Sequence, residues 1–127
     1  MEEDLRDHLL ANTGLAARVS DRIQWGATEN EASIGLFLIS GDPDQTLKGP
    51  SGLVQSRVQC DCIDATFLTA KAIGDALTAA LPTIGLVVGA TKFLSCVVID
   101  FDRDSYGEKP NLFHRTRIDV RVSYRPA

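Results

Sequence analysis

The sequence predicts an α+β domain: a mainly antiparallel sheet of about four strands, with helices packed on one face. Three stretches carry that expectation. Residues 53–63 alternate, with Val54, Val58, Cys60 and Cys62 on one side and Gln55, Arg57, Gln59 and Asp61 on the other. Residues 64–81 follow at once with Ala70, Ile73, Leu77, Ala80 and Leu81 at helical spacing, behind Asp64 as a candidate cap. Residues 112–125 alternate most clearly of all. Thr116, Ile118, Val120, Val122 and Tyr124 fall on one face, against Arg115, Arg117, Asp119, Arg121, Ser123 and Arg125 on the other. A half-buried strand that runs straight into an amphipathic helix places the helix across a sheet.

The other elements extend this unit. Leu5, Leu9 and Leu10 form a short helical stripe over residues 3–11, with acidic residues at its start as the helix dipole prefers. Thr13-Gly14 interrupts it, and Leu15 and Val19 mark a further turn or two. Residues 23–25 read as a brief strand and residues 34–39 as a longer one, apolar on both faces and therefore covered. The connection from Gly41 to Gly52 is long for a hairpin and holds no room for a crossover helix, so its flanking strands should be antiparallel. Gly49-Pro50-Ser51-Gly52 is turn chemistry. After Pro82, residues 84–88 are a short strand or a packed connection, residues 92–101 a strand, and residues 103–110 a polar loop.

A chain of 127 residues fits one domain, residues 1–127, large enough to bury a core without staples. No apolar run approaches the ~20 residues of a membrane span. The acidic start Met1-Glu2-Glu3-Asp4 is unlike a secretory signal, and the expectation is a protein made in the cytoplasm with no membrane partner. Three cysteines exclude a complete internal disulfide framework. A net charge of −4 argues against tight binding to nucleic acid, although a local basic patch is compatible with it.

Catalytic motifs are missing from the chain. It has no phosphate-binding loop, dinucleotide fingerprint or nucleophile elbow, and Ser51 between glycines lacks the strand-to-helix context an elbow needs. The run Asp100-Phe101-Asp102-Arg103-Asp104 opens like a calcium loop but has Ser105 and Asn111 where glycine and glutamate are required. Three acids there read instead as protection of a strand end. Cys60, Cys62 and Cys96 with His114, or His8, would make a zinc set only if their strands met; packing as small hydrophobes is the simpler use. No catalytic, cofactor or metal residue is therefore assigned, and an enzyme is not expected.

The arginines are the most pronounced surface feature. Arg115, Arg117, Arg121 and Arg125 share one strand face, and Arg57 joins them if its strand is adjacent. Nine of the thirteen basic residues are arginine, the residue favoured for pairing with carboxylates. One reading is a solvated outer face; the other is an interface with an acidic partner surface.

The order and spacing of these segments resemble the small tail-completion, or tail terminator, proteins of long-tailed phages and phage-like gene transfer agents. The likeness begins with MEEDLRDHLLANTGLAARVSDRIQWG, continues through LKGPSGLVQSRVQCDCIDATFLTAKAIGDAL, and ends in DFDRDSYGEKPNLFHRTRIDVRVSYR. The resemblance implies a structural virion protein at the head-proximal end of the tail. There it would form a homohexameric ring that caps the tail tube, stops its polymerisation and joins it to the head or neck. Implied partners are its own copies, the tail tube protein and a head or neck connector, with DNA only as passing cargo. It implies no cofactor and no catalytic residues. Interface candidates are Arg57, Arg115, Arg117, Arg121 and Arg125, with Asp42, Asp44, Lys48, Asp104 and Tyr106 in the connections beside them. Another head–tail connector is the nearest alternative, and a small Cys/His metal-binding domain a more distant one. The paired cysteines are not a feature the resemblance accounts for.

Overall fold

The computed structural model describes residues 1–39 and 53–127. The turn read at residues 49–52, including Ser51, and the candidates Asp42, Asp44 and Lys48 lie outside the described residues. In chain order the elements are α1 (Glu2–Leu10), α2 (Thr13–Val19), β1 (Ile23–Trp25), β2 (Ser33–Ile39), β3 (Val54–Asp64), α3 (Phe67–Ala80), β4 (Leu86–Val88), β5 (Thr91–Tyr106) and β6 (Phe113–Pro126). They build one sheet in the order β1-β2-β3-β6-β5-β4. The fold is α+β as expected, but the sheet has six strands rather than about four.

The two additional strands are the three-residue β1 and β4, and β1 runs parallel to β2. Strands that short are fixed by a neighbour rather than by their own periodicity. As the long connection required, β2 and β3 are antiparallel, from Ser33 opposite Ile63 to Ile39 opposite Arg57. The larger correction concerns residues 103–106. They continue β5 to Tyr106 and pair with β6, Arg103 opposite Thr116 and Tyr106 opposite Phe113. Local polarity suggested a loop; the pairing partner decided otherwise.

Helix formation follows local chemistry. Asn12 caps α2 by accepting from the Leu15 amide at 3.0 Å. Thr66, not Asp64, caps α3, accepting from the Thr69 amide at 3.2 Å. Asp64 accepts instead from its neighbour Ala65, 2.7 Å. All three helices contribute to a single core on one face of the sheet: Leu5 and Leu9 from α1, Leu15 and Val19 from α2, Ile73 and Leu77 from α3. Across from them lie Ile34 and Leu36, Val58, Cys60 and Cys62, Phe93, and Ile118, Val120 and Val122. Side-chain bonds tie α1 down at both ends of the sheet. Arg6 donates to the Ile23 carbonyl at 2.6 Å, Trp25 to the Glu2 carbonyl at 2.9 Å, and Thr91 to Asp4 at 2.6 Å.

Helix α3 meets β6 closely at Gly74. A Cβ at that position would stand 2.9 Å from the Thr116 methyl and 3.4 Å from Ile118 Cδ1. A large side chain there would lift the helix off the sheet. Gly74→Leu is expected to lower unfolding stability by about 2 kcal/mol or more through overpacking. Gly74→Ala should change it by less than ~1 kcal/mol, because the gain in helix propensity offsets a contact one methyl can relieve. Urea denaturation of both variants checks this; equal losses would mean the helix–sheet distance does not set the cost.

Candidate functional site

The strand register places every described interface candidate on one surface, the sheet face turned away from the helices. On β6 this face carries Arg115, Arg117, Asp119, Arg121 and Arg125; on β3 it carries Arg57, Gln59 and Asp61. Asp104 and Tyr106 join from β5, opposite Arg115 and Phe113. The condition for Arg57 is met: it stands directly across from Arg121.

Much of this charge is neutralised within the chain. Arg115 grips Asp104 with two donors, Nε to Oδ1 at 2.8 Å and Nη2 to Oδ2 at 2.5 Å. Its guanidinium also lies 5.2 Å from the centre of the Tyr106 ring, which stacks on Phe113 at 5.9 Å. Asp61, 6% exposed, sits between Arg117 at 3.5 Å and Arg115 at 3.9 Å, and accepts from Gln59 at 3.1 Å. Arg57 lies 3.5 Å from Asp119. Asp61 is the site residue that the sequence reading left out. The signal was present: it shares its strand face with Arg57, so any register bringing Arg57 to the arginines brings Asp61 as well.

Asp61 is buried because a loop folds over the outer face beside it. Its partner across β2 is Gly35, and a Cβ on Gly35 would fall 2.6 Å from the Thr28 methyl and 2.8 Å from the Ala27 carbonyl. Only glycine lets residues 27–28 lie this near the sheet.

Charge separates along the face. At one end Arg57 opposes Arg121 and Lys92 opposes Arg125, two like-charge cross-strand pairs. Toward the other end Asp100 opposes Asp119, and Asp100 and Asp102 are exposed on β5. Like charges directly opposite are destabilising within a sheet. Neither Arg121 nor Arg125 makes an ion pair among the described residues.

The far half of β5 is also open. Among the described residues β4 pairs only with Thr91–Phe93, so from Ser95 onward β5 has no strand on that side. Helix α3 lies over β3 and β6, leaving Val98 and Phe101 uncovered beside a groove of about 300 Å³ that also touches Gly74, Asp75 and Arg103.

The cysteines lie on the opposite, helix-covered face. Cys60 and Cys62 are buried in the core, while Cys96 is half-buried on β5, separated from β3 by β6. Burial pushes the Cys60 and Cys62 thiols well above their ordinary range and Cys96 up to about 11. His114 is elsewhere, edge-on to Phe67 at 6.4 Å. Among the described residues no three His, Cys, Asp or Glu side chains converge as a metal set.

The chain shares its fold with a solved chain of the virion of a native gene transfer agent particle. The match has a TM-score of 0.76 at 17% identity and covers 98% of this chain and 94% of the other. A second solved chain matches at a TM-score of 0.52 and 14% identity, over 99% of this chain and 89% of the other. No family model and no curated protein sequence matches. At these identities the likeness establishes a common fold.

Two outcomes follow. The Arg115 guanidinium holds the Asp104 carboxyl below its usual value of 3.8. A carboxylate with a lowered folded pKa stabilises the fold above its unfolded pKa, and that stability is lost as pH falls through the folded pKa. Asp104→Asn should therefore flatten the loss of stability of the folded chain below about pH 4, read from thermal midpoints against pH. An unchanged acid limb would refute the linkage. For the thiols, alkylation at pH 8 should leave Cys60 and Cys62 unmodified in the folded protein and modify all three in denaturant, as peptide mass spectrometry would show. Rapid native labelling of Cys60 or Cys62 would contradict their buried placement.

Proposed function

We propose that the chain is a structural component of a phage-like particle, a tail terminator that caps the tail tube and joins it to the head. The observation that carries this reading is the full-length fold shared with a gene transfer agent virion chain. The resemblance of the sequence segments supplies the finer assignment. In this reading six copies form a ring at the head-proximal end of the tail, after synthesis in the bacterial cytoplasm. The ring contacts the tail tube protein on one side and a head or neck connector on the other.

The surface chemistry supports an assembly role over a catalytic one. The groups gathered on the outer face are chiefly guanidinium and carboxylate pairs, suited to protein–protein recognition. An overall charge of −4 also suits a conduit, since DNA must pass and not adhere. Among the described residues no helix is long and apolar enough to cross a membrane.

Deleting the gene should yield tails of irregular or excessive length, detached from DNA-filled heads, in electron micrographs. Tails of normal length that remain separate from heads would indicate a connector further up the neck. Normal particles would overturn the virion reading.

A further inference from the structure

We infer that the open edge of β5 at Asp100–Asp102 docks on the basic corner formed by Arg57, Lys92, Arg121 and Arg125 of a second copy of this chain. The inference rests on the ring reading for its closure into a circle, but the contact can be tested apart from it.

Edge strands attract further strands because their amides and carbonyls are unpaired. Here two of those amides are already occupied. The Phe101 amide donates to Asp100 Oδ1 at 2.9 Å, and the Arg103 amide to Asp102 Oδ1 at 2.8 Å. Two residues apart on a strand, these amides point to the same side. The carboxylates thus take positions that a neighbouring strand's carbonyls would fill. Indiscriminate edge-to-edge pairing is blocked, and the edge instead presents negative charge.

The basic corner has the opposite requirement. Its two cross-strand pairs, Arg57 with Arg121 and Lys92 with Arg125, place cations face to face. Asp119 offsets only Arg57. An anionic segment laid there would relieve both pairs, and Asp100 would gain cations in place of its like-charge neighbour Asp119, while Asp102 stands opposite Arg117 within the chain. Val97, 50% exposed and opposite Arg121, adds apolar area to the outer face at the basic corner, whereas Phe101 between the two acids turns to the helix side, where Arg103 lies 5.1 Å from its ring centre. Both halves of the contact are thus on one chain, the basic corner along the first half of β5, from Lys92 to Val97 opposite Arg121, and the acids at its middle. A contact between two different patches of the same chain is head-to-tail, and it propagates to a ring when its rotation closes.

Carbodiimide coupling of an equal mixture of ¹⁴N- and ¹⁵N-labelled protein, at its highest soluble concentration, tests this directly. Lys92 and Asp100 lie eight residues apart along one strand, roughly 26 Å, so a zero-length bond between them cannot form within a chain. The expected product is mixed-label peptide pairs joining Lys92 to Asp100 or Asp102. Arg121→Glu with Arg125→Glu leaves the coupled atoms in place and should reduce the yield by about tenfold or more. Arg121→Lys with Arg125→Lys should retain it, separating charge from any structural effect. Absence of mixed-label pairs in the parent protein, or a yield indifferent to charge reversal, would overturn the contact. The gene-deletion phenotype is independent: abnormal tails without the cross-link would leave termination to other surfaces, and the cross-link with normal particles would leave the contact without that role.

Discussion

The structure depends on the pairing of β3 with β6, two segments far apart in sequence held in register from Val54 opposite Tyr124 to Asp64 opposite His114. Side chains alternate across a strand, so this single register sorts both faces at once. It turns Val58, Cys60, Cys62, Ile118, Val120 and Val122 toward the helices and gathers Arg57, Asp61, Arg115, Arg117, Asp119 and Arg121 on the outside. A slip of one residue would bury guanidinium groups under α3 and expose the core row. The penalty for burying unpaired charge is far larger than any gain such a slip offers. The register is therefore specified by electrostatics as firmly as by apolar burial.

This explains which parts of the fold were legible in the sequence. The alternation of β3 and β6 and the stripe of α3 each report an element that buries one face, and burial leaves a period. The far half of β5 has no such period. Residues 103–106 are polar and read locally as loop, and they are strand because Arg115 binds Asp104 and Tyr106 stacks on Phe113. Those partners lie across a hairpin, invisible to a local reading. The three-residue β1 was read at its observed bounds, whereas β4 was left open between a short strand and a packed connection because only its pairing with β5 decides it. Within the candidate site, the arginine face was readable from β6 alone. Its neutralisation by Asp61 was not drawn out, because that follows only once β3 is known to lie beside β6.

The ion pairs also divide the arginines by role. Arg115 is held by a bidentate carboxylate and an aromatic ring, and Arg117 by an acid that is itself buried. Such side chains are fixed before any partner arrives, and breaking their pairs to make new ones returns little net free energy. Arg57, Arg121 and Arg125, beside Lys92, are differently placed: cations opposed by cations, with one nearby carboxylate among the described residues. Opposed cations of this kind are screened by water and salt in the free chain and gain most from an anionic partner. The basic corner is therefore the part of the face with charge left to pair, and the centre of the face is taken up by the fold.

The open edge of β5 poses the complementary problem. An exposed edge strand pairs with any other strand unless something restrains it. Asp100 and Asp102 supply that restraint. By occupying the Phe101 and Arg103 amides they remove the generic attraction of an edge strand, which any other strand would satisfy. In its place they leave an anionic edge, which favours a basic surface. Hydrogen-bond self-capping suppresses non-specific pairing, and the charge that performs the capping selects the partner. Specificity and restraint come from the same two carboxylates, so losing them should relax both together.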